Sequence, residues 1–328
     1  MHFCVMVFGD DVERQLEPFQ ECNMGPIAPE YMEKVDFTYQ VQEQFHARQR
    51  YARLGDGRYV ALCQAHHRDA AGKMILIPGA IVVEMSADEA RTNQLGYATL
   101  DDAAEDVGAK REGDRFFVLD NLNSRWDSWE IGGRWGGMLK LLPGRQGYTA
   151  MPLWFDPGFA KILNRRPPEI WQPTPCYCDQ ARKKDIDWVG MRAEAGAKAG
   201  AAWDLVHCWS KGTPWSSWAE VQRKFIGDAP RDHYEAQPAM QAIREGQQTL
   251  PPEQRQFLID DALSGAREDY VGAAEACAGV TYALIFHGEW LDSDMVNHEI
   301  GADWNKQFHA ILDRVPDEAM VTIVDCHV

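Results

Sequence analysis

The C-terminal segment of this sequence carries the residue types that are best suited to proton transfer. Asp325 and His327 alternate with apolar residues, so on a strand they share one face with Ile323. A buried carboxylate and imidazole need partners, and imidazole exchanges protons near neutral pH. Asp325 and His327 are therefore the candidate catalytic residues. Two alternatives remain: the strand end emerges into solvent, or Asp325 pairs with Arg134.

A second stretch with chemical potential is the motif Gly-Gly-Arg-Trp-Gly-Gly around Arg134. Its glycines permit positive φ and close backbone approach, which predicts a sharp turn with an uncovered guanidinium. That planar fork suits a carboxylate or a phosphate, and nearby indoles can stack on a base. Arg134, Gly133, Trp129 and Trp135 are thus candidate ligand-binding residues. The alternative is a bulge or hairpin turn, with both tryptophans in the core and Arg134 paired to a carboxylate such as Asp127.

A third cluster, which is acidic, lies at residues 179–187, just after the middle of the chain. Asp185 is placed to cap a following helix, which leaves Asp179 and Asp187 as candidate ligands for Mg²⁺ together with a substrate phosphate. The interleaved lysines and arginines are also typical of a self-neutralising surface. Both interpretations stay open on the sequence alone.

Cysteines offer a further metal hypothesis, which the spacing disfavours. Cys176, Cys178, His207 and Cys208 could supply four soft ligands to zinc. Ligands one residue apart and ligands directly adjacent would strain a tetrahedral chelate, so free thiols are the better interpretation.

The elements that must position these residues are strands at the two ends of the chain. Residues 3–9 and 320–328 are apolar on both faces, which is typical of interior strands. With helical periodicity in between, the pattern predicts an α+β fold, whose central mixed or antiparallel sheet includes both terminal strands and carries helical and loop elaborations.

The predicted organisation is a single α+β domain over residues 1–328. It includes a Pro/Gly-rich loop insertion over 143–184 and a mainly helical elaboration over 185–279. Helices are predicted at residues 29–53, 185–210, 216–225, 251–279 and 303–314. Further strands are predicted at residues 59–63, 74–84, 115–119, 137–142 and 281–286.

Composition narrows the classes of function. The formal net charge is −17, with 45% hydrophobic and 25% charged residues, so the chain is an ordinary globular protein rather than a disordered one. Its acidity disfavours non-specific binding to nucleic acid and to anionic membranes. No stretch approaches the ~20 apolar residues that a membrane-spanning helix requires. The start lacks the basic region of a signal peptide, and a cytoplasmic location is predicted.

At residues 129–135, 179–187 and 322–327 the chain resembles a family of uncharacterised proteins encoded by tailed bacteriophages and prophages. The features that carry the resemblance are the Gly-Gly-Arg-Trp core and the C-terminal Asp-Cys-His strand. The resemblance implies an accessory protein made in the cytoplasm of an infected bacterium. It also implies that the site residues are Arg134, Asp179, Asp187, Asp325 and His327.

Two functions follow from these observations. The first is an enzyme that acts on a nucleotide or another phosphate-bearing small molecule with a divalent cation. The alternative is a non-catalytic acidic effector that binds a host or anti-phage defence protein, with its charge imitating nucleic acid. Convergence of the three polar clusters would favour the enzyme.

Overall fold

The computed structural model describes residues 1–21, 27–68, 73–151, 174–226, 229–251 and 259–328. It has 43% helix and 25% strand, which confirms the predicted α+β class.

Within those residues the strands, in chain order, are β1 (His2–Phe8), β2 (Glu33–Asp36), β3 (Gln49–Arg53), β4 (Tyr59–Ala61), β5 (His66–Arg68), β6 (Met74–Leu76), β7 (Ile81–Met85), β8 (Lys110–Glu112), β9 (Arg115–Asp120), β10 (Ser128–Ile131), β11 (Leu139–Lys140), β12 (Tyr177–Cys178), β13 (Gln180–Arg182), β14 (Ala283–Phe286), β15 (Glu289–Asp292) and β16 (Met320–His327). The α-helices are α1 (Val12–Leu16), α2 (Thr38–His46), α3 (Ala87–Thr92), α4 (Leu100–Asp106), α5 (Trp188–Ser210), α6 (Trp218–Lys224), α7 (Pro230–Glu235), α8 (Pro238–Gln248), α9 (Ile259–Ser264), α10 (Arg267–Cys277) and α11 (Trp304–Arg314).

The first and last strands lie side by side in the main sheet, as the sequence predicts. β1 pairs antiparallel with β16 from His2 opposite His327 to Phe8 opposite Val321. On its other edge β1 pairs in parallel with β14, while β10 and β13 pair with successive parts of β16. The sheet order is β10–β16–β1–β14–β15, with β13 also on β16. The sheet is therefore mixed, and its central strands come from opposite ends of the sequence.

Apolar side chains explain why these two strands form the centre. Met6 and Ile323 are fully buried and belong to one cluster with Phe308 of α11. Burying a side chain of this size stabilises the fold by roughly 1.5–3 kcal/mol. Asp325 and His327 continue the same face of β16 beyond Ile323, and Asp325 is itself buried opposite Cys4 of this cluster.

The chain divides into two compact units. The sheet unit comprises Met1–Glu17 and Trp126–Val328, and the smaller unit comprises Pro18–Arg125. The smaller unit contains the three-stranded sheets β2–β9–β8 and β4–β3–β7, the β5–β6 hairpin and helices α2 to α4. The single-domain prediction did not separate this unit.

Two predicted helices need correction. Residues 29–53 form a 3₁₀ turn, β2, α2 and β3 rather than one helix, because Val35 and Tyr51 pair with neighbouring strands. The helix predicted from residue 185 begins at Trp188 and is capped by Asp187, not by Asp185.

Other predicted segments lie partly beyond the described residues. Residues 152–173 of the loop insertion and 252–258 of the predicted helix 251–279 are in this group. The rest of the latter segment forms α9 and α10, and helices α5 to α10 all fall within the predicted helical elaboration. In the part of the chain that the structure describes, no helix combines the length and apolarity needed to cross a bilayer.

Candidate functional site

The candidate site lies at one end of the main sheet, where β1 and β10 begin and β16 ends. His327 of β16 has His2 of β1 opposite it on one side and Ser128 of β10 opposite it on the other. Because directly opposed residues point to the same face of a sheet, His2, Asp325 and His327 share one face. This group, together with Asp127 and residues 132–136 around Arg134 (the Arg134 turn), is called the sheet-end site below.

His2 is held by a buried carboxylate. Its Nδ1 lies 2.8 Å from Oδ1 of Asp325, whose side chain is 1% exposed. The other oxygen, Oδ2, accepts a hydrogen bond of 2.9 Å from the backbone N–H of Arg134. Both oxygens of this carboxylate are therefore satisfied, as burial requires.

His327 is held by a second carboxylate. Its Nδ1 lies 2.8 and 2.9 Å from the two oxygens of Asp127, and the Ser128 hydroxyl donates to Oδ1 of the same carboxylate at 3.0 Å. Although partial burial alone would raise the pKa of Asp127, the hydrogen bonds from His327 and Ser128 outweigh it and lower that pKa. Asp127 is thus stabilised as a carboxylate that faces the imidazole.

The two imidazoles are in edge contact, and both are anchored through Nδ1. Their ring centroids are 4.7 Å apart at an interplanar angle of 67°. A carboxylate on Nδ1 fixes the ring orientation and leaves Nε2 for exchange with a ligand. His2 Nε2 has no polar partner among the described residues, and His327 Nε2 lies 3.5 Å from the Met1 amino nitrogen. The side chains are 29% and 40% exposed, so a ligand can reach them.

The Arg134 turn crosses directly over Asp325. Gly133 has a φ of +51°, and a Cβ built there would lie 2.3 Å from the Cβ of Asp325. Gly132 has a φ of +73°, and a Cβ there would lie 2.6 Å from Oδ2 of Asp179. Neither position accepts a side chain without displacing a carboxylate, which explains the glycine pair that the sequence presents.

Asp179 supports the turn from its other side. It is fully buried and accepts hydrogen bonds from the backbone N–H groups of Gly137 and Ala150. Burial raises the pKa of Asp179, and these two hydrogen bonds only partly oppose that effect. Asp179 and Asp325 therefore fix the backbone on both sides of Arg134.

The Arg134 side chain itself is exposed. Its backbone N–H is used by Asp325, whereas its guanidinium makes no hydrogen bond or ion pair with any described residue. The alternative in which Asp127 neutralises this guanidinium is not what the structure has, since Asp127 binds His327. A free guanidinium fork can still bind a carboxylate or phosphate.

The two tryptophans do not join this arrangement. Trp129 lies opposite Cys326 in the β10–β16 register and so faces away from His327 and Asp325. Trp135 packs against the main apolar cluster. The expectation that one of them stacks on a ligand beside Arg134 has no support, because the strand alternation and the core already place both indoles.

Asp187 also lies in a different environment from Asp179. It caps α5 by accepting the Gly190 N–H at 2.8 Å, and its carboxylate lies 3.7 Å from Nζ of Lys140. Across the described ranges, no group of three or more His, Cys, Asp or Glu side chains could hold a metal ion. The predicted Mg²⁺ site at Asp179 and Asp187 therefore gains no support from the geometry.

His2 and Asp127 are the two residues of the site that the sequence does not single out as candidates. The signal for His2 was the apolar pattern at both ends of the chain, which predicts that the terminal strands are neighbours. Register was the missing information, since only the in-register antiparallel pairing puts His2 opposite His327.

Comparison of this chain with protein-family models, with curated proteins and with solved structures found no match.

Proposed function

We propose that this chain is a bacteriophage accessory enzyme that acts on a phosphate ester of a small molecule, such as a nucleotide. His2 and His327 exchange protons with the substrate, and Arg134 binds its phosphate. The observation that carries the proposal is the pair of carboxylate-anchored imidazoles, one of whose carboxylates also accepts the backbone N–H of Arg134, a residue whose guanidinium is unpaired among the described residues.

Proton transfer is supported by the way the imidazoles are held. When Nδ1–H donates to a carboxylate, the lone pair of the neutral ring lies on Nε2, which then accepts a proton from an attacking group. A well-placed acid or base of this kind contributes about 10²–10⁴-fold to a rate. Both rings are anchored through Nδ1, His2 by Asp325 and His327 by Asp127.

Phosphate binding is supported by the charge distribution. A chain with a net charge of −17 repels phosphates on average, so an anionic substrate requires a local cationic group. Arg134 supplies one on a turn whose backbone is fixed by Asp179 and Asp325. A guanidinium can bind two phosphate oxygens at once, which orients the ester as well as attracting it.

The phage context is supported by the resemblance at the Arg134 turn and the C-terminal strand. Asp325 and His327, which the resemblance implies as site residues, lie in or beside the arrangement above. The divalent cation of the first hypothesis does not enter the proposal. The effector alternative draws on net charge alone.

Phosphate release from a panel of nucleotides and aryl phosphates tests the proposal, with parallel reactions in EDTA and in Mg²⁺. The compared proteins are the wild type, His2→Gln and His298→Gln, which removes another exposed imidazole of the sheet unit. We expect His2→Gln to lower turnover at least about 10²-fold. His298→Gln should match the wild type.

Binding is tested separately with Arg134→Ala and orthophosphate as the probe. Arg50→Ala is the control, because Arg50 is also exposed and without a described ion-pair partner. We expect orthophosphate to raise the melting temperature of the wild type and of Arg50→Ala but not of Arg134→Ala. Turnover of no panel member, or equal effects of the two histidine variants, would overturn the proposed function.

A further inference from the structure

We infer that the two imidazoles have different roles: His2 is the general base, and His327 is the general acid that protonates the leaving oxygen. The substrates are then phosphate esters of aliphatic or sugar hydroxyl groups. This inference rests on the proposed function and deepens it.

The contact between the rings supports one acid and one base. With centroids 4.7 Å apart, the two rings can contact one bound phosphate group together, so that one takes up a proton while the other delivers one.

The carboxylates distinguish the two rings. Both oxygens of Asp127 lie within 2.9 Å of His327 Nδ1, so this carboxylate directs its charge at the His327 ring. Asp325 offers His2 one oxygen only, since the other accepts the N–H of Arg134. A buried carboxylate that orients a neutral imidazole is the arrangement of a general base.

Two further charged groups lie beside the rings. The Met1 amino group lies 3.5 Å from His327 Nε2 and donates to the carbonyl oxygen of Val328. Glu130, opposite Asp325 in the β10–β16 register, adds negative charge to the same face of the sheet.

The chemical step balances with water as the nucleophile. Water attacks phosphorus while His2 Nε2 takes one of its protons, which forms the new P–O bond. The bond from phosphorus to the leaving oxygen breaks, and the proton on His327 Nε2 passes to that oxygen, which departs as an alcohol. His2 ends protonated and His327 neutral, and proton exchange with solvent restores the starting state.

This division of roles predicts which esters depend on His327. An alkoxide is a poor leaving group, so its departure requires a proton. 4-Nitrophenolate is a stable anion and departs without one. Loss of the general acid should therefore be severe for an alkyl ester and mild for a nitrophenyl ester, whereas loss of the base should affect both alike.

The test measures kcat/KM for benzyl phosphate and 4-nitrophenyl phosphate with the wild type, His2→Gln, His327→Gln and Asp127→Asn. We expect His327→Gln to lose at least about 10²-fold on benzyl phosphate and less than about 10-fold on 4-nitrophenyl phosphate. Asp127→Asn should show the same ester dependence at smaller amplitude. His2→Gln should lose equally on both esters. A second substitution, His327→Asn, and thermal unfolding of each variant separate a lost proton from a lost fold.

Other outcomes overturn the inference in distinguishable ways. Equal losses on both esters for every folded His327 variant, with His2→Gln still impaired, would remove the acid role and leave the proposed function standing. Ester dependence in His2→Gln instead of His327→Gln would reverse the two roles. Turnover of neither ester by the wild type, or no effect of His2→Gln, would remove the proposed function and the inference together.

Discussion

Two polar clusters of the sheet unit contain similar residue types but pair them differently. At the start of α5, the Lys140 ammonium pairs with Glu194 and lies 3.7 Å from Asp187, while the Tyr177 hydroxyl donates to Glu194. Asp187 also caps the helix. At the sheet-end site, the carboxylates instead take the Nδ1 atoms of two histidines and a backbone N–H.

The difference lies in what remains unpaired. The hydrogen bond with Glu194 raises the pKa of Lys140 and holds the pKa of Glu194 below its ordinary value, which is the mark of a mutually satisfied pair. At the sheet-end site, His2 Nε2 and the Arg134 guanidinium have no partner among the residues that the structure describes. Polar residues that cluster are therefore a poor guide to a site unless some donor or acceptor is left for a ligand.

The largest expected effect comes from replacing one carboxylate of each cluster by an amide. Asp325→Asn should lower turnover about 10³–10⁴-fold, because one amide oxygen cannot accept from both His2 and Arg134 and the base loses its orientation. Asp187→Asn should leave turnover unchanged. Steady-state kinetics on the best panel substrate measure both, and equal losses would erase the distinction between the clusters.

The next effect concerns the glycine that admits Asp325 beneath the turn. Gly133→Ala should destabilise the fold by about 3 kcal/mol or more, because its Cβ would overlap the Asp325 side chain. Gly212→Ala is the matched control, since Gly212 has a φ of +69° but nothing within 4 Å of its Cβ position. It should cost about 1–2 kcal/mol. Urea denaturation compares the two, and similar values would mean that the close approach to Asp325 does not matter.

A smaller effect tests whether Asp187 caps α5. Asp187→Ala should cost about 1 kcal/mol, the usual loss for a helix N-cap, because the Gly190 N–H loses its acceptor. Asp185→Ala serves as the comparison: it removes the pair with Arg145 but no cap. Urea denaturation measures both variants, and an unchanged free energy of unfolding for Asp187→Ala would contradict the capping role of Asp187.

The smallest effect is a pH dependence at Asp127. Its pKa is lowered in the folded protein, so its contribution to stability is present above its ordinary value of 3.8 and disappears as the pH falls through the lowered value. The stability difference between the wild type and Asp127→Asn should therefore be larger at pH 5 than at pH 2. Guanidinium chloride unfolding at the two pH values measures it, and a constant difference would contradict the ion pair with His327.

Part of this architecture could be predicted from the sequence for physical reasons. Strands that are apolar on both faces must be interior, which places β1 and β16 in the middle of the sheet. Period-two alternation puts Asp325 and His327 on one face, and glycine density predicts the turn around Arg134. These inferences depend on local pattern and on burial, both of which a single sequence records.

The rest depends on information that a single sequence does not hold. The pairing of His2 with Asp325 depends on strand register, and the capping of α5 depends on where the helix begins. The sequence pattern predicts a surface or metal-binding role for Asp179. Its partners are instead the backbone N–H groups of Gly137 and Ala150, and backbone groups do not depend on residue type, so the sequence does not reveal them. The strands of the smaller unit are three to six residues long, so they leave little periodicity in the sequence to mark its boundaries.

The central claim is that His2 and His327 present Nε2 to a phosphate group next to Arg134. It is tested most directly by following the imidazole ¹⁵N resonances of His2, His327 and His298 while orthophosphate is added. We predict that the Nε2 resonances of His2 and His327 shift with a common saturation curve, that His298 does not respond, and that Arg134→Ala abolishes the shifts. Unchanged His2 and His327 resonances at saturating phosphate, or an identical response of His298, would contradict the claim.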